Sequence, residues 1–276
     1  MPRPTLLGIV NITEDSFSDG GRHLDPGAAI TEALRLAAEG ADVVDLGAAA
    51  SNIAAKPVPP AEEIRRLDPV IAALKAAGVP VSVDSFAPET QRFAIQRGAE
   101  FLNDIEGFDH PELYPDLAGA GCRLIVMHAV QGRGRAQRVA VSPDEICQRI
   151  VGFFSTRITA LEAAGIARER LILDPGMGFF LSSDARASLR VLAELDRLKR
   201  EFGLPVLISV SRKSFLAAVT GREAPAARGP ASLAAELYAA ASGADYIRTH
   251  DPGALRDGLA VIAALAAERA DRADYL

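Results

Sequence analysis

Asn11, Asp45, Asp84, Asn103, Asp104, His128, Asp174, Ser211, Arg248 and His250 all stand at or next to the ends of short apolar runs. Such groups are costly to bury without a partner. Taken singly, each could serve a structural hydrogen bond; their recurrence at the end of run after run points to a ligand site. Asp84, Asn103 and Asp174 supply carboxylate and amide acceptors able to read a flat heterocycle with amino and lactam edges, and Lys213 can donate to its carbonyl or ring nitrogens. Arg212, Arg248 and His250 supply cations and donors for an anionic group. The first run ends in a loop holding Asn11, Thr13, Asp15, Ser16, Ser18 and Asp19, closed by Gly20-Gly21. Those oxygen ligands and backbone amides suit a metal and a phosphate. The chemistry is that of a heterocycle beside a phosphate.

Other chemistries find no pattern. Ser211 lacks the Gly-x-Ser-x-Gly elbow, and no nucleophile, base and orienter series stands at recognisable spacing. His23, His110, His128 and His250 form no metal cluster, and His23 and His110 read as exposed loop residues. Cys122 reads as strand core and Cys147 as helix filler; two cysteines make no disulfide framework, which fits a reducing cytoplasm.

The elements that must position these groups follow from periodicity. Runs rich in Val, Ile and Leu predict strands at Leu6 to Asn11, Asp42 to Gly47, Pro80 to Asp84, Glu100 to Asp104, Arg123 to His128, Leu171 to Asp174, Pro205 to Ser211 and Asp245 to His250. They are apolar on both faces, as buried parallel strands are. Between them, helices are predicted at Pro26 to Glu39, Pro60 to Ala77, Pro88 to Arg97, Pro111 to Ala120, Pro143 to Ala164, Ala185 to Phe202, Pro230 to Ala241 and Pro252 to Ala270. Most open with proline, whose missing amide proton costs little at the first helical position. Eight such pairs predict an α/β fold, a (β/α)8 TIM barrel over residues 1–276 as one domain. A doubly wound sheet is disfavoured, because no Gly-rich dinucleotide fingerprint follows the first strand. The Arg-rich stretch from Gln131 to Val141 reads as a mobile loop.

Composition bounds the partners. The 276 residues are 49% hydrophobic and 24% charged with a net charge of −6, and neither sign gathers into a block, so no nucleic-acid tract is expected. Neither a signal-peptide core nor an apolar segment of membrane-spanning length is present, so a cytoplasmic protein without membrane contact is expected. Alanine- and leucine-rich stripes at Ala231 to Ala241 and Leu255 to Ala270 point to a face packed on a second subunit, hence a homodimer.

In order along the chain, seven motifs resemble the dihydropteroate synthase family. They are Gly8-Ile-Val-Asn-Ile-Thr-Glu-Asp-Ser-Phe-Ser-Asp-Gly-Gly21, Val83-Asp84-Ser85, Leu102-Asn103-Asp104-Ile105, Val126-Met127-His128, Leu173-Asp174-Pro175-Gly176, Ser211-Arg212-Lys213-Ser214 and Arg248-Thr249-His250-Asp251. The resemblance implies a pterin-binding TIM barrel that condenses 6-hydroxymethyl-7,8-dihydropterin diphosphate with p-aminobenzoate, releasing pyrophosphate with Mg2+ assisting. It implies that Asp84, Asn103, Asp174 and Lys213 hold the pterin, with Met127 beside them. Asn11 would be the magnesium or diphosphate ligand, Asp19 the mobile-loop acid, and Arg248 with His250 the diphosphate clamp. Ser214 would lie near the p-aminobenzoate carboxylate. Asp84, Asp174, Lys213, Arg248 and His250 are the implied catalytic set, stabilising a departing anion and a delocalised pterin methylene cation together.

The chain also departs from the family pattern. In the second loop it reads Asp45-Leu-Gly-Ala-Ala-Ala-Ser-Asn-Ile-Ala54, so Ser51 stands for a threonine and Asn52 for an arginine, losing a charge and a bidentate fork. Lys56, Arg133 or Arg135 are candidates to replace it. After Asp174-Pro-Gly the chain has Phe179-Phe180-Leu181 where the family has an aromatic and then Gly-Lys. These departures resemble the mobile-element branch that confers sulfonamide resistance. Phe179 and Phe180 are expected to narrow the outlet so that p-aminobenzoate fits and its bulkier mimics clash; replacing Phe180 by Gly would then restore sensitivity. The bland alternative for the pair is barrel-end core. Two other functions share the pterin acids: methyl transfer from a folate to a corrinoid partner, and pterin binding without catalysis.

Overall fold

Each predicted strand run carries apolar residues on both faces because both are covered in the folded chain, and the structure shows how. In this computed structural model the described residues are 3–13, 25–50, 53 and 56–273. Eight parallel strands run in chain order: β1 (Thr5–Asn11), β2 (Val43–Gly47), β3 (Val81–Asp84), β4 (Phe101–Asp104), β5 (Arg123–Met127), β6 (Leu171–Asp174), β7 (Leu207–Ile208) and β8 (Tyr246–Thr249). The ladder order is β6-β5-β4-β3-β2-β1-β8-β7. A parallel bridge between Leu173 and Val206 joins the two remaining edges, so the sheet forms a nearly closed TIM barrel.

The helices lie between the strands: α1 (Pro26–Glu39), α2 (Pro60–Ala76), α3 (Pro88–Gln96), α4 (Tyr114–Gly119), α5 (Pro143–Ala163), α6 (Ala185–Ala193), α7 (Leu195–Phe202), α8 (Ser214–Thr220), α9 (Gly229–Ala241) and α10 (Pro252–Ala273). In α2, Leu67, Val70, Ile71 and Leu74 are buried at helical spacing, the face that covers the barrel. Asp25 and Ser142 cap α1 and α5 by accepting the Ala28 and Asp144 amides.

Most element ends fall within three residues of expectation, and four differences are larger or change an element's kind. The seventh strand, expected from Pro205 to Ser211, is laddered only over Leu207–Ile208, with Val206 in a single bridge to Leu173 and its N–H taken by the Asp245 carboxylate at 2.9 Å. The helix expected from Ala185 to Phe202 is two helices, since Glu194 leaves helical geometry with φ −108° and ψ 17°. The fourth helix begins as a 3-10 turn at Pro111–Leu113. Helix α8, directly after Lys213, was not expected at all.

Two layers of core result. Outside the strands a continuous cluster from Leu6 to Leu255 fills the space beneath the helices. On the inner face Leu7, Val43, Phe101, Ile125, Ile172, Leu207 and Tyr246 form a separate cluster that plugs the barrel. Side chains alternate across a strand with period two. Two residues beyond each plug residue, on the same face, stand Ile9, Asp45, Asn103, Met127, Asp174, Ser209 and Arg248. The polar groups are thus stacked on an apolar plug, at the carboxyl ends of the strands.

Candidate active site

A cavity of about 580 Å3 opens at that end, lined among others by Asn11, Asp84, Phe179, Phe180, Ser211, Lys213, Ser214, Arg248 and His250. Another concavity, about 750 Å3, lies at the opposite end against Thr5, Asp42, Glu100, Arg123 and Tyr246. That end of a TIM barrel serves stability, and its Asp42 and Glu100 accept the Leu6 and Val81 amides.

At the centre of the carboxyl end, Arg248 donates from Nε to Asp45 at 2.5 Å and from Nη2 to Asp84 at 2.7 Å. Asp45 is fully buried, and its second oxygen, Oδ1, has no hydrogen-bond partner. Burial pushes the Asp84 carboxyl up to about 7 against the pull of Arg248, and the Asp174 carboxyl up to about 6. Gly176 N–H donates to Asp174 Oδ1 at 2.8 Å and orients it. Only glycine serves at 176: φ is +76°, and a Cβ would lie 2.4 Å from the His128 carbonyl oxygen. Burial also draws Lys213 down to about 8, while Asp174 and Asp84 hold its proton. Its ammonium sits 4.9 Å from the centre of the Phe180 ring. Asn103, beside Asp84 in the β3–β4 register, is 3% exposed, and its Oδ1 has no partner. Asn103, Met127 and Asp174 are all buried at the mouth of the barrel.

Expected and observed placements differ in detail. Asp19, Ser51 and Asn52 lie outside the described residues. Arg248 lies among the acids, ion-paired with two of them. His128 braces the turn: its Nδ1 lies 3.1 Å from the Pro175 carbonyl, and burial lowers it to about 4, so the neutral ring donates there. His110 is not an exposed loop residue, since its ring lies between Glu106 and Glu112 at 3.3 and 3.1 Å. Cys122 is buried and Cys147 half-buried, both as free thiols.

The stretch from Gln131 to Val141, expected to be mobile, is pinned at several points. Gly134 N–H donates to Glu106 at 2.6 Å, Arg133 pairs with Asp109, and Val141 exchanges hydrogen bonds with Ser182. Arg133 is therefore turned to Asp109, and the arginine of this stretch that lines the cavity is Arg138, stacked 5.2 Å from the centre of Phe179. Periodicity carried no signal for Arg138. The two phenylalanines also have different settings. Phe180 is buried with Ile105, Met127, Ala129 and Ala136, whereas Phe179 packs against that cluster half-exposed. Arg66, 7% exposed, donates to the Ile12 and Ala48 carbonyls and so ties the ends of β1 and β2 together.

Among the described residues no three His, Cys, Asp or Glu side chains gather to hold a metal, and no helix is long and apolar enough to cross a membrane. A closed parallel barrel whose mouth carries buried acids, an amide and a lysine defines the class of site: one that holds a polar heterocycle. The chain belongs to the pterin-binding enzymes, whose family model matches residues 7–250. It falls among the dihydropteroate synthases, which are transferases. It is 58% identical to the type-2 dihydropteroate synthase of Escherichia coli over 260 residues, 94% of this chain and 95% of the relative. It is 54% identical to the type-1 enzyme of Mycolicibacterium fortuitum, over 93% and 91% of the two chains. The dihydropteroate synthase of Xanthomonas albilineans, solved with 4-aminobenzoic acid, superposes with a TM-score of 0.87 at 40% identity, covering 96% of this chain and 94% of that one.

Proposed function

We propose that the chain joins 6-hydroxymethyl-7,8-dihydropterin diphosphate to p-aminobenzoate through the residues described above, and does so in the presence of sulfonamides. The observation that carries the pterin assignment is Asn103: a buried amide whose oxygen lacks a donor, next to Asp84 in the β3–β4 register. Buried acceptors without partners are rare, and a lactam and amino edge would satisfy them. Asp84 and Asp174 favour positive charge on the pterin as the C–O bond to the diphosphate breaks, and Lys213 donates to its carbonyl or ring nitrogens. The aryl amine then attacks the methylene carbon, and its nitrogen gives up a proton as the C–N bond forms.

Asn11, at the end of β1, would offer its amide oxygen to magnesium. One hard oxygen from the protein, with substrate phosphate oxygens and water completing the shell, is the coordination this ion prefers. When bound, the ion would neutralise charge on the leaving pyrophosphate. His250 and Arg248 act on the same anion, and Asp19, Ser51 and Asn52 join the site from the first and second loops on the strength of the resemblance. Ser214 and Arg138, which both line the cavity, would receive the p-aminobenzoate carboxylate. Phe179 would close the space beyond that carboxylate, where a sulfonamide carries its extra substituent.

The active form would be a cytoplasmic homodimer of single-domain subunits. Tyr238 on α9 and Val261, Ile262 and Leu265 on α10 are 40–61% exposed, an apolar face that a second copy would cover. The deciding experiment is pyrophosphate release with both substrates and magnesium, titrated with a sulfonamide. Turnover that persists at drug levels silencing an ordinary synthase is the expected result. Turnover abolished by low drug would remove the resistance reading, and no turnover would favour methyl transfer or binding alone.

A further inference from the structure

Gln91 lies in the first turn of helix α3 and is fully buried. A buried amide is costly unless it is hydrogen-bonded. Gln91 Nε2 uses both of its hydrogens: it donates to the Ser85 carbonyl at 2.7 Å and to Asp104 Oδ2 at 2.9 Å, while Oε1 has no partner. Both neighbours are acceptors, so the amide can face them only through its nitrogen.

The two acceptors stand next to the two groups assigned above to the pterin. Ser85 follows Asp84 at the end of β3, and Asp104 follows Asn103 at the end of β4. Side chains alternate along a strand, so Asp84 and Asn103 face the barrel while Ser85 and Asp104 face the helices. Ser85 uses all of its polar groups there. Its N–H donates to the Asn103 carbonyl at 3.0 Å, its hydroxyl donates to Glu63 Oε2 on α2 at 2.6 Å and accepts the Ala87 amide at 3.2 Å, and its carbonyl takes Gln91. Asp104 folds the turn after β4 by accepting the Glu106 and Phe108 amides at 2.7 and 3.1 Å. Gln91 is thus a side chain shared by both strand ends.

We propose that Gln91 is a positioning residue for the pterin: its one amide ties the ends of β3 and β4 together and so sets the spacing of Asp84 and Asn103. This rests on the reading of Asp84 and Asn103 as pterin contacts. They form the last pair of the β3–β4 register, and the end of a ladder is where it opens most easily. On the barrel side Arg248 holds Asp84, but Asn103 Oδ1 has no partner. The relation between the two is therefore fixed from behind, by the Ser85 amide and by Gln91. Precision there matters to the chemistry, since a misplacement of about 1 Å can cost about a hundredfold in rate.

Gln91→Met tests this, because methionine nearly keeps the volume and removes both donors. Asp104 retains its two backbone amides in the variant, so the turn after β4 stays folded. The KM for the pterin diphosphate should rise about tenfold, with the KM for p-aminobenzoate within about threefold of the parent. In ligand-free protein, hydrogen exchange of the Ser85 amide, the one bonded to Asn103, should quicken about tenfold. Gln91→Asn keeps an amide but is one methylene too short to reach both acceptors, and it should shift the same KM even where methionine is not tolerated. Unchanged Ser85 exchange, or two KM values that rise together, overturns the proposal. Faster exchange with an unchanged pterin KM would leave Gln91 holding the strand ends and overturn the pterin reading of Asp84 and Asn103 instead.

Discussion

Arg248 Nη2 donates to Asp84 Oδ2 at 2.7 Å, across a sequence separation of 164 residues. The guanidinium also holds Asp45, which is fully buried. Removing the cation would leave an uncompensated carboxylate in the barrel. Arg248→Met should lower stability by about 2–4 kcal/mol in chemical denaturation. Arg248→Lys should keep the charge but lose the fork to two acids. Equal stability of Arg248→Met and the parent would mean that Asp45 finds another partner.

Turnover should follow a bell-shaped pH profile. The Asp174 carboxyl is raised to about 6 and Asp84 to about 7, so both charge only as pH rises through those values; Lys213 is lowered to about 8 and loses its proton above that. The optimum of kcat/KM should lie between about pH 7 and about pH 8, and Lys213→Arg should move the alkaline limb outward. Linkage adds a stability consequence with a definite sign. Asp174 binds its proton more tightly folded than unfolded, so its contribution is full below about pH 4 and lost as pH rises to about 6. Stability of Asp174→Asn relative to the parent should accordingly improve between those pH values, by about 1–3 kcal/mol in paired melts.

Phe179 and Phe180 should behave differently when shortened. Phe179 is half-exposed at the cavity, so Phe179→Ala should tighten sulfonamide inhibition about tenfold and leave the KM for p-aminobenzoate within about threefold. Phe180 is 6% exposed and lies under Lys213, so Phe180→Gly should cost about 3–5 kcal/mol of stability in addition to any change in drug binding. Unchanged inhibition in both variants would return the pair to barrel-end packing.

Arg138 should act on the second substrate alone. Its guanidinium is stacked on Phe179 at the cavity and is placed to meet a carboxylate. Arg138→Ala should raise the KM for p-aminobenzoate about tenfold with the KM for the pterin diphosphate unchanged. A parallel rise in both would mean that the loop, and not the charge, was lost.

Gly176→Ala should misplace Asp174. The added methyl meets the His128 carbonyl in a left-handed backbone that side chains rarely adopt. A loss of about 2 kcal/mol or more is expected, with turnover falling further than stability accounts for.

The eight strand and helix pairs were legible because each rests on local information: a short apolar run, a proline at a helix start, a capping Asp25 or Ser142. The strand-end acids were legible for the same reason, since period two places Asp45, Asn103 and Asp174 on the face of Val43, Phe101 and Ile172. What they pair with was not. Arg248 and Asp45 are 203 residues apart and meet only because β8 closes onto β1 and β1 lies beside β2. Closure likewise decided that the Asp245 carboxylate takes the Val206 amide, and that Arg133 turns to Asp109 while Arg138 lines the cavity. Propensity and periodicity are properties of neighbours in the chain, so the sequence by itself determined the elements and which polar groups face the barrel mouth. Burial, hydrogen-bond partners and proton affinity depend on what arrives from the other strands, and those only the closed barrel decided.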